Sequence, residues 1–166
     1  MKSAIVALAC VLLVAFGLGG GSPVTATAGT GDNVLEFDTM VGVSGPFLGP
    51  TNPINGVPGA GAAWSIERGR GELSSSGALE VEVEGLVLVS TGANPQTNFR
   101  AVVACRSIVN GQAANAQVVT GPFPATPTGD SRIEAQVSLP SPCFNPAIFV
   151  TTGAGDPARW FAVTGQ

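Results

Sequence analysis

Residues 78–84 read ALEVEVE, with Leu79, Val81 and Val83 on one face of an extended chain and Glu80, Glu82 and Glu84 on the other. Successive side chains of a β-strand point to opposite sides of the sheet, so this period of two predicts a strand buried on one face and wet on the other. One-sided burial is common in antiparallel sheets, whereas strands of parallel sheets are apolar on both faces. Gly85 interrupts the alternation and an apolar run, Leu86 to Val89, follows. A bulge is expected at Gly85.

Working outward, the chain repeats this pattern between clusters of Gly, Pro, Asn and Ser. Gly71 to Ser74 is expected to pair back on the Ala78 strand through Ser75-Ser76-Gly77. Asn110-Gly111 is the strongest turn signal, because both central residues of a type I′ hairpin turn need positive φ. Before it, Phe99, Ala101, Val103 and Cys105 share a face opposite Arg100 and Arg106, which points Cys105 inward. Ile133, Ala135, Val137 and Leu139 alternate with Arg132, Glu134, Gln136 and Ser138. Leu35, Phe37, Thr39 and Val41 alternate with Glu36, Asp38 and Met40, and Trp64 and Ile66 with Ser65 and Glu67. Ala147 to Thr151 and Trp160 to Thr164 close the series. Roughly eight or nine strands at this spacing predict an all-β fold, an antiparallel β-sandwich of Ig-like or jelly-roll type, with a closed β-barrel as the alternative.

One segment resists a strand reading. From Gly42 to Gly61, ten of twenty residues are Gly or Pro, and Phe47, Leu48, Ile54 and Val57 are spread among them. Structureless loops of this length are uncommon and tend to be functional or disordered. The apolar residues predict a loop that packs down on the sandwich and covers an edge strand. The alternative is a surface for a ligand or partner, with Phe47, Leu48 and Ile54 as its candidates.

The N-terminus carries an export signal. Lys2 precedes an apolar run from Ala4 to Leu18 broken by Gly17, and Ala26-Thr27-Ala28 supplies the small-x-small pattern of a cleavage site. The run is shorter than the roughly 20 residues that span a bilayer, although an uncleaved anchor is the alternative. The expected organisation is a leader at 1–28, a flexible start at 29–33 and one domain over 34–166. Cys10 lies within the apolar run, where a lipidated cysteine would follow it.

Past the leader the chain keeps six arginines, no lysine and eleven acids, a side-chain charge of 6 − 11 = −5. That charge repels nucleic acid and anionic lipid, so neither nucleic-acid binding nor membrane insertion after leader cleavage is expected. Cys105 and Cys143 remain. In an oxidising compartment two such cysteines predict a disulfide, while zinc would be left with half a coordination shell. The expected location is therefore extracellular or in the cell envelope.

The missing residue types limit the chemistry. The whole chain lacks histidine and tyrosine, which rules out Ser-His-Asp and Cys-His catalysis and phenolic acids. No catalytic residue, metal ligand set or cofactor is assigned. Carboxylate chemistry survives, since two acids held about 5–10 Å apart can hydrolyse glycosides. Glu80, Glu82 and Glu84 are the available set, but a glutamate row on an alternating strand reads first as a solvated face. Asp32-Asn33, Asp130 and Asp156 sit in Gly- or Pro-rich turns. There a calcium site competes with the ordinary capping role of a turn aspartate. Trp64 and Trp160 fall in strand patterns and are expected in the core, the alternative being a stacking platform for glycan. Phe123, between Pro122 and Pro124, is the better candidate for an exposed aromatic.

The stretch GPFPATPTGDSRIEAQVSLPSPCFNPAIFVTT from Gly121, with RWFAVTG from Arg159, resembles small secreted bacterial β-proteins of unassigned activity. The resemblance extends from Phe37 to Gly165 and implies export without implying an activity. ELSSSGALEVEVEGL, from Glu72, also resembles the CHRD-type β module, without the histidines of that family. The expected function is a secreted, non-catalytic protein with a binding or envelope role, its partner extracellular or a glycan. The alternatives are a carboxylate-dependent glycan-active enzyme and a calcium-stabilised extracellular module. Oligomeric state is left open.

Overall fold

The computed structural model describes residues 32–152 and 158–165. The expected leader at 1–28, residues 29–31 and Asp156 lie outside the described residues. Of the segment expected at 29–33, only Asp32 and Asn33 are among the described residues. Asn33 opens the first strand, and the Asp32 carbonyl accepts the Ser75 N–H at 2.9 Å.

The described residues form twelve strands, with no α-helix. They are β1 (Asn33–Phe37), β2 (Met40–Gly42), β3 (Trp64–Ser65), β4 (Arg68–Ser74), β5 (Ala78–Glu84), β6 (Val87–Leu88), β7 (Asn98–Val109), β8 (Gln112–Val119), β9 (Phe123–Pro124), β10 (Ser131–Gln136), β11 (Phe144–Thr152) and β12 (Trp160–Thr164). The count exceeds the expected eight or nine because β2, β3, β6 and β9 are only two or three residues long. Segments that short carry no periodicity to read.

The strands make two antiparallel sheets, ordered β1-β4-β5-β10 and β2-β12-β11-β7-β8, with β9 also pairing β7 and a separate β3-β6 pair. Neither sheet closes on itself, so the architecture is a sandwich and the barrel alternative is excluded. Between the sheets lie Leu73, Leu79, Val81, Val83 and Ile133 from the smaller sheet and Phe99, Ala101, Val103, Ile148 and Val150 from the larger, all buried. Burying each such Val, Leu, Ile or Phe stabilises the fold by about 1.5–3 kcal/mol. At the β7–β8 turn Asn110 and Gly111 have φ of 52° and 76°, the pair of positive values a type I′ turn requires.

Two expectations are corrected. There is no bulge at Gly85: β5 ends at Glu84, and the chain leaves the sheet so that Val87 and Leu88 pair with Ser65 and Trp64. The alternation from Leu35 to Val41 is not one strand either. β1 belongs to the smaller sheet and β2 to the larger, and the crossing at Asp38 and Thr39 shifts the inward phase by one residue. Met40 is consequently buried and Val41 58 % exposed, the reverse of the sequence pattern.

Candidate functional site

The Gly/Pro segment is a covering layer. Pairing places Val102, Ala104, Phe149 and Ala147 on the face of the larger sheet that points away from the smaller one, yet all four are buried. Residues 43–61 cover part of this face. Trp160 N–H donates to the Pro58 carbonyl and Ala60 N–H to the Trp160 carbonyl, each at 3.0 Å, so the segment runs parallel beside the start of β12. Its far end reaches β8, where Gln117 Nε2 donates to the Asn55 carbonyl at 3.1 Å. The segment is held to itself as well. Gly59 N–H donates to the Gly49 carbonyl, and a β-carbon on Gly59 would lie 1.9 Å from the Phe47 carbonyl oxygen.

Its apolar residues are used unequally. Val57 is fully buried, and Leu48 and Ile54 are half-buried against the core. Phe47 keeps 41 % of its surface exposed while its ring lies 6.4 Å from that of Trp160. Trp160 in turn lies 6.1 Å from Phe149. A second aromatic group forms between the sheets, where Trp64 stacks on Phe161 at 4.0 Å and both approach Phe99. Both tryptophans are core residues, at 4 % and 2 % exposure. Phe123 is half-buried opposite Phe99, on the inner face of the larger sheet. The structure therefore groups Phe47, Leu48 and Ile54 on the covering segment and does not bring Phe123 to them.

The smaller sheet presents its outer face to solvent, and its register produces an arrangement of charge invisible in any single strand. Glu36 stands opposite Glu72, Glu72 opposite Glu80, and Glu80 opposite Glu134. Four carboxylates thus cross all four strands in one row, with directly opposed β-carbons about 4.5–5.5 Å apart. The adjacent row alternates, with Arg70 and Arg132 on either side of Glu82. Arg70 Nε and Nη2 both donate to Glu82 Oε2, at 2.9 and 2.6 Å. Arg132 reaches into the acidic row, its Nη2 2.6 Å from Glu80 Oε1 and its Nε on Glu134. Those carboxylates hold the Arg132 guanidinium above its ordinary pKa, Glu134 contributing most. Asn33 Nδ2 donates to Glu72 at 3.1 Å. Glu36, Asp38, Arg70, Glu72, Glu80 and Glu82 line an open depression of about 310 Å³. Sequence reading found Glu80, Glu82 and Glu84 on one face. The partners from β1, β4 and β10 needed the pairing register.

Asp130 is a turn clasp. Its Oδ1 accepts the Gly85 N–H and its Oδ2 the hydroxyls of Thr126 and Thr128. These hydrogen bonds, led by that from Gly85, hold the carboxyl below its ordinary pKa, against a smaller opposing effect of burial. Among the described residues no three His, Cys, Asp or Glu side chains are arranged to hold a metal ion. Cys105 and Cys143 are joined by a disulfide with Cα atoms 5.1 Å apart, tying β7 to the segment that enters β11. Among the described residues no helix is long and apolar enough to cross a membrane.

No protein-family profile, curated protein or solved structure matches the chain.

Proposed function

We propose that the chain is an exported, non-catalytic β-sandwich, extracellular or held in the cell envelope, that acts by surface contact. The observation that carries this is the state of the depression on the outer face of the smaller sheet, which is floored by a continuous sheet and open to solvent. Arg70 engages Glu82 there, Arg132 engages Glu80 and Glu134, and Asn33 engages Glu72. Glu36 and Asp38 line the depression with no side-chain partner among the described residues. A glycosidase, however, needs its two acids in a cleft that orients the sugar, and this depression is an open one. The leader pattern and the Cys105–Cys143 bond support an oxidising destination.

The test is cosedimentation of purified protein with envelopes of the cells that produce it, with release of soluble fragments followed in parallel. Retention without fragment release is the expected result. Fragment release that Glu80→Gln abolishes would overturn the proposal in favour of a carboxylate-dependent glycan-active enzyme.

A further inference from the structure

We infer that β8 is a self-complementary edge through which two copies of this chain join in an antiparallel, two-fold pair. Each sheet has two edges, and three of the four are guarded. β1 carries Glu36 and is flanked by Asp32 and Asp38, and β10 carries Arg132 and Glu134. β2 is three residues long and leads into Val43, whose carbonyl accepts the Trp64 N–H. Charge and shortness are the usual protections against edge-to-edge pairing. β8 has neither. It is eight residues long, and the chain carries no charged residue from Ser107 to Gly129.

The ladder shows which groups are free. Thr120 N–H donates to the Ala101 carbonyl, and the two-residue turn makes Val109 and Gln112 a hydrogen-bonded pair. Even-numbered residues of β8 therefore turn their main-chain groups toward β7. Ala113, Asn115, Gln117 and Val119 turn theirs outward, all four are exposed, and among the described residues no main chain pairs with them.

The occupant follows from the order of side chains. From Gln112 to Thr120 the sequence QAANAQVVT runs polar, apolar, apolar, amide, apolar, amide, apolar, apolar, polar, symmetric by class about Ala116. Such a strand suits a two-fold contact, in which each residue meets its mirror position. With Ala116 at the centre, Asn115 faces Gln117 of the second copy and Ala113 faces its Val119. Ala114 faces Val118 on the opposite side. Every outward N–H and C=O of the four residues then finds a partner, and no charged residue of β8 is opposed.

Sedimentation equilibrium of the purified protein, expressed with its own N-terminal segment, tests this together with two double variants at exposed positions. The wild type is expected to show a reversible monomer–dimer equilibrium. A113K/V119K opposes like charges at both symmetric contacts and is expected to stay monomeric. A113E/V119K places opposite charges at the same contacts and is expected to dimerise again, as the Ala116-centred register requires. Melting curves establish that both variants fold. A wild type that is monomeric throughout the concentration range overturns the inference, as does a dimer that A113K/V119K leaves unchanged. Failure of A113E/V119K to restore the dimer overturns the Ala116-centred register.

Discussion

The Asp130 carboxylate accepts the Gly85 N–H at 2.9 Å across 45 positions of sequence, clasping the end of β5 to the turn that precedes β10. Further along β10, Arg132 and Glu134 stand in register against Glu82 and Glu80. Asp130→Ala removes an acceptor serving one main-chain and two hydroxyl donors. The expected loss is about 1–3 kcal/mol, read as a shift of the urea midpoint at neutral pH. Because the folded-state pKa is depressed, the contribution is fully present above the unfolded value of about 3.9 and is lost as pH falls through the folded value. The difference between wild type and Asp130→Asn should therefore shrink on acidification below that point. A difference independent of pH would contradict the clasp.

The covering segment should be part of the cooperative fold. Val57→Ala deletes buried methyl groups and is expected to cost about 2 kcal/mol, with one unfolding transition by both tryptophan emission and circular dichroism. Gly59→Ala should cost more, because the new methyl meets the Phe47 carbonyl backbone. Native emission should be blue-shifted and poorly quenched by acrylamide, since Trp64 and Trp160 are both buried.

Removing the disulfide should destabilise without altering the fold. The bond spans 38 positions, and closing a loop of that size is worth about 4 kcal/mol on the chain-entropy view. Cys143→Ala, at the half-buried end of the bond, should lower the guanidinium midpoint while leaving the native circular dichroism unchanged. An unchanged midpoint would show that the bond carries no stability.

The glutamate row should be a site of repulsion. Glu36 faces Glu72 directly, and like charges so placed destabilise a sheet. Glu36→Arg is expected to raise the melting temperature at low salt, with the gain fading as salt screens the surface. A gain that persists unchanged in molar salt would mean that charge is not its cause.

Much of this architecture was legible because alternation survives wherever a strand is long and one face is wet. ALEVEVE placed Leu79, Val81 and Val83 inward, and Asn110-Gly111 placed the β7–β8 turn. Legibility failed where the chain changes sheet. Met40 and Val41 exchanged roles because two residues of crossing reset the phase, and Val87 and Leu88 joined Trp64 and Ser65 instead of extending β5. The four-carboxylate row was hidden for a different reason. It is a property of register between Glu36, Glu72, Glu80 and Glu134, and no local window contains it. Phe123 read as exposed between two prolines, but cross-strand pairing with Phe99 set it against the core.

Intact mass spectrometry of the protein recovered from cells expressing the whole chain tests the proposed export most directly, because one spectrum reports both leader and thiols. The expected mass is that of residues 29–166 less two hydrogens, from cleavage after Ala28 and oxidation of Cys105 with Cys143. A mass of all 166 residues, or of a product with both thiols free, would contradict it.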